Sequence, residues 1–590
     1  MRVIFSSDEF NVSDGDFVFG DSDGTPEFVF SGGDDVFYGE DGPYQYGAVG
    51  DAYALDRTDR GGNDTFYGGD FAGSFSDGPA PNVTALVPIF NVRGAVTFIG
   101  DAIFMTDGST GGRDYAQGGV NSNNLFIGDA SDADGLARGG NDTLMGGDAG
   151  WSEPRGRGLT AATRQSDSTA FNVLIGDFAE AGGRGPTTRE VIFELPSPKG
   201  GQDSIVGGDA WAYNSDAGVS NVLIGDAYAL GALAKAGDDT VRGGTATASD
   251  ATASAYNIIV GDAFFMTDGS RGGRDALYGG NVVVTSDSGD GYAINLMSGD
   301  NITMDDGARG GADFMVGGSA RSVVTDGKEI AAAINLMAGD TFSVRGSDVD
   351  FGRDTMVGGS GTGDGYAINV MFGDIGASDA GGLPFPFPFF GQNGAISLAG
   401  LDGSTSRGSY NPDFHFAADK LTGGNGNAMN YLVGDAEFIS SDSTGGDDTL
   451  FAGDGYSSTM YGDSLGLAGK GGNDKLYSGK GNDDMWGDAQ KMGESADGGA
   501  DRFYFGVKNG DDTIHDFRVG DKDKIDLSAF SGLSPDFKNF ASLKASGRLE
   551  QVSDGVVLHL DLADKASDHN TVLIVGVDLD ELVKASFAFG

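Results

Sequence analysis

Aspartate follows glycine at two kinds of place in this chain. One is an apolar-Gly-Asp element, as in Val222-Leu223-Ile224-Gly225-Asp226, and the other is a Gly-Gly-x-Asp-like element, as in Gly139-Gly140-Asn141-Asp142. Close variants recur, among them "NVLIGDAYALGALAKAGDDTVRGG", "NIIVGDAFFMTDGSRGGRDALYGG" and "NYLVGDAEFISSDSTGGDDTLFAG". The first kind places Asp at 51, 101, 129, 177, 226, 262, 300, 340, 374, 435 and 463, and the second at 64, 114, 142, 203, 239, 275, 313, 354, 419, 448 and 474. Seven of the eleven intervals between a Gly-Asp and the next Gly-Gly-x-Asp are thirteen residues; the two longest, 26 and 45, hold insertions around 183–199 and 375–418. Intervals in the other direction vary, so a rigid unit alternates with tolerant surface loops.

Carboxylates at fixed spacing in stacked turns would repel one another. A hard dication removes that cost and uses turn carbonyls as further ligands. Calcium takes about 6–8 oxygens at about 2.3–2.6 Å, a set that Asp side chains, Asn amides and glycine carbonyls supply. Zinc and copper prefer His or Cys; the chain has four scattered His, at 415, 515, 559 and 569, and no Cys.

The elements that position these residues follow from a finer period. Val222-Leu223-Ile224-Gly225 lies 18 residues before Thr240-Val241-Arg242-Gly243, and Ile258-Ile259-Val260-Gly261 lies 18 before Ala276-Leu277-Tyr278-Gly279. Near residue 470 a nine-residue step separates Asp474 from Asp483. The spacing predicts an all-β fold: a parallel β-roll or β-solenoid with 18-residue coils, stacked at about 4.8 Å. Leu223, Val241, Ile259 and Leu277 point inward in this scheme, and glycines supply tight turns. Asn221, Asn257, Asn295 and Asn335 align with the Gly-Gly-x-Asp position on alternate coils, either as ligands or as a hydrogen-bonded ladder.

The stretches "GGNDTFYGGD", "GGNDTLMGGDA" and "GGNDKLYSGKGNDDMWGD" resemble the hemolysin-type (RTX) calcium-binding nonapeptide G-G-x-G-x-D-x-U-x, whose family fold is a parallel β-roll. The resemblance covers about residues 30–490. It implies calcium ligands at Asp35, Asp64, Asp114, Asp142, Asp203, Asp239, Asp275, Asp313, Asp354, Asp448, Asp474 and Asp483. The Gly-Asp carboxylates Asp226, Asp262, Asp300, Asp340, Asp435, Asp463 and Asp488 are further metal candidates, expected at the opposite turn.

From about residue 491, "GGADRFYFGVKNGDDTIHDFRVGDKDKIDLSAFSGL" is similar to the C-terminal module that follows such repeats in serralysin-like, type I secreted proteins. The resemblance implies a β-rich cap leading to an export signal, with "DELVKASFAFG" at its end. The expected organisation is an N-terminal cap over 1–30, the repeat solenoid over 31–490, and the capping and secretion domain over 491–590.

The 37 basic and 88 acidic residues give 37 − 88 = −51, which repels nucleic acid and anionic membranes. The absence of cysteine excludes disulfide staples and thiolate chemistry. The start, "MRVIFSSDEFNVSDGD", does not resemble an N-terminal export signal, and no apolar run is long enough for a membrane-spanning helix. No HExxH or P-loop occurs, and no enzyme is expected. The expectation is a secreted calcium-binding structural protein that self-assembles at the cell surface or in the extracellular matrix, as a lattice resembling a surface layer or as a filament. The alternatives are a calcium-dependent adhesin for a glycan or host surface and a polysaccharide lyase or epimerase. Expected partners are further copies of the chain, a cell-surface glycan, and type I secretion machinery during export. The Phe/Pro-rich "GGLPFPFPFFGQNG", 381–394, is a candidate contact with another subunit or a surface ligand.

Overall fold

A computed structural model describes residues 9–12, 17–20, 32–41, 46–56, 58–70, 95–106, 108–150, 168–181, 198–213, 215–231, 233–324, 329–346, 348–376, 413–562 and 570–590. Most of both predicted insertions, including the Phe/Pro-rich stretch, lies outside these residues. Two units are distinguished: Met1–Met337 with Met356–Asn369 and Gly424–Met429, and Ala338–Thr355 with Val370–Gly423 and Asn430–Gly590.

In the first unit short strands of successive coils pair in parallel. One sheet stacks Thr143–Met145, Ser204–Val206, Thr240–Arg242, Ala276–Tyr278 and Phe314–Val316. A second stacks Asn123–Ile127, Ser168–Ile175, Ala217–Ile224, Ala253–Val260 and Gly291–Ser298. A third continues directly from each Gly-Asp turn, as Ala227–Leu230 on Ala263–Met266 on Asn301–Met304. A fourth stacks Ala210–Ala212, Ala246–Ala248, Val282–Val284 and Ala320–Ser322.

One coil therefore holds four strands, and its length departs from the predicted 18 residues. Asn221 lies in register with Asn257, and Asn257 with Asn295, so successive coils are 257 − 221 = 36 and 295 − 257 = 38 residues apart. The 18-residue similarity relates two halves of one coil. Leu223 and Val241 sit in different sheets and share one core; both are fully buried, as are Ile259 and Leu277. A second core of small residues, including Ala212, Val219, Ala246, Ala255 and Val284, fills the space where the early part of each long strand approaches the fourth sheet. Only small side chains fit there, which the repeated Ala-x-Ala pattern provides.

The second unit stacks Lys420–Thr422, Thr449–Phe451, Lys475–Tyr477, Arg502–Tyr504 and Lys524–Asp526 in parallel. The coils are shorter, 475 − 449 = 26 and 502 − 475 = 27 residues. The parallel ladder passes residue 491 without interruption. It then gives way to antiparallel pairing of Leu549–Val552 with Gly555–His559 and of that strand with Asn570–Val575, which also pairs in parallel with Gly510–Ile514. Antiparallel closure leaves no continuing parallel edge at these strands. Truncating one stacked core residue tests the packing: Ile259→Ala lowers stability by about 2–5 kcal/mol, read as a shift in the denaturant midpoint by circular dichroism.

Candidate metal centre

Each site begins at the Gly-Asp turn. The Gly225 N–H donates to the Val260 carbonyl at 3.0 Å, and the N–H groups of Asp226 and Ala227 share the Asp262 carbonyl at 3.0 Å each. This turns the Asp226 side chain inward, where its two oxygens accept the Gly237 N–H at 2.8 and 3.0 Å. Asp101, Asp129 and Asp177 hold Gly112, Gly140 and Gly201 in the same way. The Gly-Gly-x-Asp carboxylate arrives from the first sheet: Asp239 Oδ1 accepts the Asp203 N–H at 2.6 Å, and Asp239 N–H donates to Asp275 Oδ1 at 2.7 Å.

The two kinds of aspartate were expected at opposite turns; they converge on one. Carboxylate oxygens of Asp51, Asp64 and Asp101 lie within 4.8 Å of one another, as do those of Asp101, Asp114 and Asp129, and of Asp129, Asp142 and Asp177. The convergence arises because a Gly-Asp turn and the following Gly-Gly turn close the same end of the coil, a proximity that thirteen residues of separation in sequence do not display. Asp35, Asp64, Asp114, Asp142, Asp203, Asp239, Asp275 and Asp313 are buried along one row of the first unit, beside buried Asp226, Asp262 and Asp300. In the second unit Asp354, Asp448 and Asp474 are buried in the same manner, with Asp340, Asp435, Asp463 and Asp488 in the Gly-Asp row.

In nine carboxylates of this row Oδ1 accepts an N–H of the neighbouring coil, as Asp142 does from Asp114 and Asp448 from Asp419. Oδ2 of Asp114, Asp142, Asp203, Asp239 and Asp275, and of Asp419, Asp448, Asp474 and Asp501, is buried without a hydrogen-bond partner among the described residues. A native protein rarely leaves a charged acceptor so. These oxygens face carbonyls: a Cβ built on Gly100 would run into the Gly128 carbonyl oxygen and Asp114 Oδ2, and one on Gly434 into the Gly462 carbonyl and Asp448 Oδ2. Glycine is required at these turns because that space is lined by oxygens. Buried aspartates in consecutive turns are thus positioned to hold metal ions through an all-oxygen donor set.

Burial, and then the charge of neighbouring aspartates, holds the carboxyls of Asp101, Asp114, Asp129, Asp275, Asp448 and Asp474 well above the usual range. Asp313 and Asp419, also raised chiefly by burial, are pushed up to about 7. At neutral pH the row needs protons or cations.

The asparagines form a separate row at a second turn, so they do not alternate with the aspartates. Asn124, Asn172, Asn221, Asn257, Asn295 and Asn335 each donate Nδ2 to Oδ1 of the next, ending on Asn369, at 2.8–2.9 Å. Asn221 also accepts the Gly208 N–H at 3.0 Å and donates to the Gly208 carbonyl at 3.0 Å. Every polar site of the amide is used, so the hydrogen-bonded ladder is the observed alternative. Asp483 belongs to this second turn and not to the metal row: its oxygens accept the N–H groups of Ser458 and Gly479, both at 2.9 Å, and the carboxyl is raised, chiefly by burial, to about 6.

The ligand expectations passed over Asp51, Asp101, Asp129, Asp177, Asp374 and Asp419, although the spacing contained them. They also missed Asp501 and Asp523. Asp501 carries the same signal, Gly498-Gly499-Ala500-Asp501, within the stretch expected to be cap. Asp523 has no Gly-Gly before it and is found only by stacking, through the Asp501 N–H on its Oδ1 at 3.0 Å. A comparison of the chain with protein-family models, curated proteins and solved structures finds no match.

Two outcomes follow from this geometry. Asn257→Leu strands the Asn221 amide, the Asn295 amide and the Gly244 backbone, at about 1–3 kcal/mol for each unsatisfied group, seen as a lowered denaturant midpoint. The second concerns pH without metal. Carboxyls raised in the folded state bind protons more tightly there than when unfolded. Their stabilisation is full below the model-peptide value of 3.8 and is lost as pH rises through the folded values, about 7 for Asp313 and Asp419. In chelator, the melting midpoint therefore falls steadily from about pH 4 to about pH 8; a midpoint that rises over that range contradicts the buried row.

Proposed function

We propose that this chain is a secreted calcium-binding structural protein of the hemolysin-type repeat class. Calcium fills the aspartate rows, draws the coils together, and lets copies of the protein assemble at the cell surface or in the extracellular matrix. The observation that carries the proposal is the recurrence, in successive coils, of a buried carboxylate oxygen without a donor among the described residues, facing a glycine carbonyl. Calcium suits this set better than its rivals. Magnesium retains waters and demands octahedral geometry, while zinc seeks nitrogen or sulfur. Two of the four histidines lie beside acids elsewhere, His515 on Asp484 and His559 on Glu550.

Calcium supplies charge neutralisation when bound; the chain supplies the oxygens, the turn backbone that aims them, and the apolar rows that stack beside them. In a low-calcium interior the rows repel and the chain stays unfolded enough to thread an export channel. In calcium-rich surroundings binding to the folded state drives folding. The structural role is favoured over catalysis because the buried polar groups of each coil serve the next coil.

Calcium titration of chelated protein at neutral pH is expected to raise strand content and melting temperature together, with sheets or filaments visible by electron microscopy only in the loaded sample. An unchanged dichroism spectrum and melt across the titration would refute calcium loading. A fully folded but permanently monomeric product would refute assembly alone. Asp239→Asn with Asp275→Asn is expected to reduce the calcium bound per chain in calorimetry and to cost about 2.7 kcal/mol per lost site at a hundredfold excess of ion over Kd.

A further inference from the structure

One surface feature lies outside the aspartate chemistry. Immediately before the Gly-Gly turns that follow Gly-Asp in the first unit, or Ala236-Gly237 in one coil, isolated parallel bridges link Arg60, Thr110, Arg138, Lys199, Lys235, Arg271 and Arg309 in an unbroken series. Six of these seven positions carry a cation, in a chain where 37 residues of 590 are Lys or Arg. Backbone bonds fix the register: Gly139 N–H to the Lys199 carbonyl and Gly200 N–H to the Lys235 carbonyl at 2.8 Å, Ala236 N–H to the Arg271 carbonyl at 2.9 Å. The residue before each cation points inward, as with fully buried Ala137, Ala234, Ser270 and Ala308, so the cations point out and are exposed.

Five of these cations are not counter-charges for acids of the described residues. Among the described residues no ion pair holds Arg60, Arg138, Lys199, Lys235 or Arg271. The charges acting most strongly on Asp129, Asp226 and Asp262 are other aspartates. Like charges placed directly across neighbouring strands are unfavourable, and this arrangement repeats at the spacing of one coil, about 4.8 Å. A single file of cations at that step is complementary to a single file of anions.

We propose that this row is a docking track for a linear acidic polysaccharide bearing about one carboxylate or sulfate per sugar ring. An extended glycan presents its anions in single file, one ring to a step. Duplex nucleic acid presents its charge around a wide rod, which a single file of cations does not match. The track depends on coil stacking and not on the identity of the ion in the turns.

The test uses the full chain in constant free calcium with fluorescent chondroitin sulfate fragments, followed by anisotropy over a range of salt. Binding is expected to weaken linearly in log–log form with salt. Arg138→Gln, Lys199→Gln, Lys235→Gln and Arg271→Gln together are expected to weaken it about tenfold or more, because four contacts are lost. Lys420→Gln, Lys475→Gln, Lys480→Gln and Lys491→Gln, which remove equal charge from the other unit, are expected to change it less than about twofold. If the first variant lacks the wild-type dichroism and melt, Lys199→Gln with Lys235→Gln replaces it, with a loss of about threefold or more. Equal losses in both sets, no binding of chondroitin sulfate, or equal binding of duplex DNA or neutral dextran overturns the proposal. Calcium binding is read by calorimetry in the same samples, so a failure of calcium loading is recognised separately from a failure of the track.

Discussion

The structure depends on stacked negative charge placed inside it. Along the turns from Asp51 to Asp177, carboxylates of consecutive coils are buried within 4.8 Å of one another. In nine carboxylates of the Gly-Gly-x-Asp row half is used by the backbone, since Oδ1 accepts the N–H of the preceding coil's aspartate, as Asp142 does from Asp114 at 2.7 Å. The other half has no hydrogen-bond partner among the described residues at Asp114, Asp142, Asp203, Asp239 and Asp275. A buried charge of this kind is stable only with a counter-charge or a proton. The fold is thereby conditional on its surroundings, while its core of Leu223, Val241, Ile259 and Leu277 is ordinary apolar packing.

The second turn of the coil shows the contrast. Asn221 occupies a similar place between strand and turn, yet its amide donates and accepts in equal number and stacks on Asn172 and Asn257 at 2.8 Å without any ion. One oxygen replaced by an NH2 group converts a row that needs cations into one that closes on itself. In the coils of Asn172, Asn221 and Asn257 one turn is self-sufficient, and the other leaves buried carboxylate oxygens positioned for a cation. Near the C-terminal end the second turn changes character: Asp483 takes the asparagine's place and satisfies both oxygens with backbone N–H groups.

Surface and interior charge also divide along the coil. The carboxylates of the acidic turn face inward over the glycines, while the residue at the start of that turn, Arg138, Lys199, Lys235 or Arg271, faces out. Both rows inherit their spacing from the same backbone ladder. A repeating fold turns a single side-chain choice into a line of charge, which is how one chain can carry a strongly acidic average and a locally basic track.

Much of this was legible from residue types and spacing. Glycine and aspartate at a thirteen-residue interval, with short apolar runs between, determined a parallel all-β repeat with acid-lined turns, because no helix tolerates that glycine content and no other ordinary element tolerates that charge. The inward positions of Leu223 and Val241 followed from strand alternation. Tertiary structure alone decided three things. It set the coil at 36 residues around Asn221, because the 18-residue likeness joins opposite walls of one core. It brought Asp226 and Asp239 to the same turn and removed Asn221 from it, because chain closure and not sequence interval determines which residues share an end. It also extended the acid row past residue 491 to Asp523, where backbone stacking continues after the glycine motif has stopped.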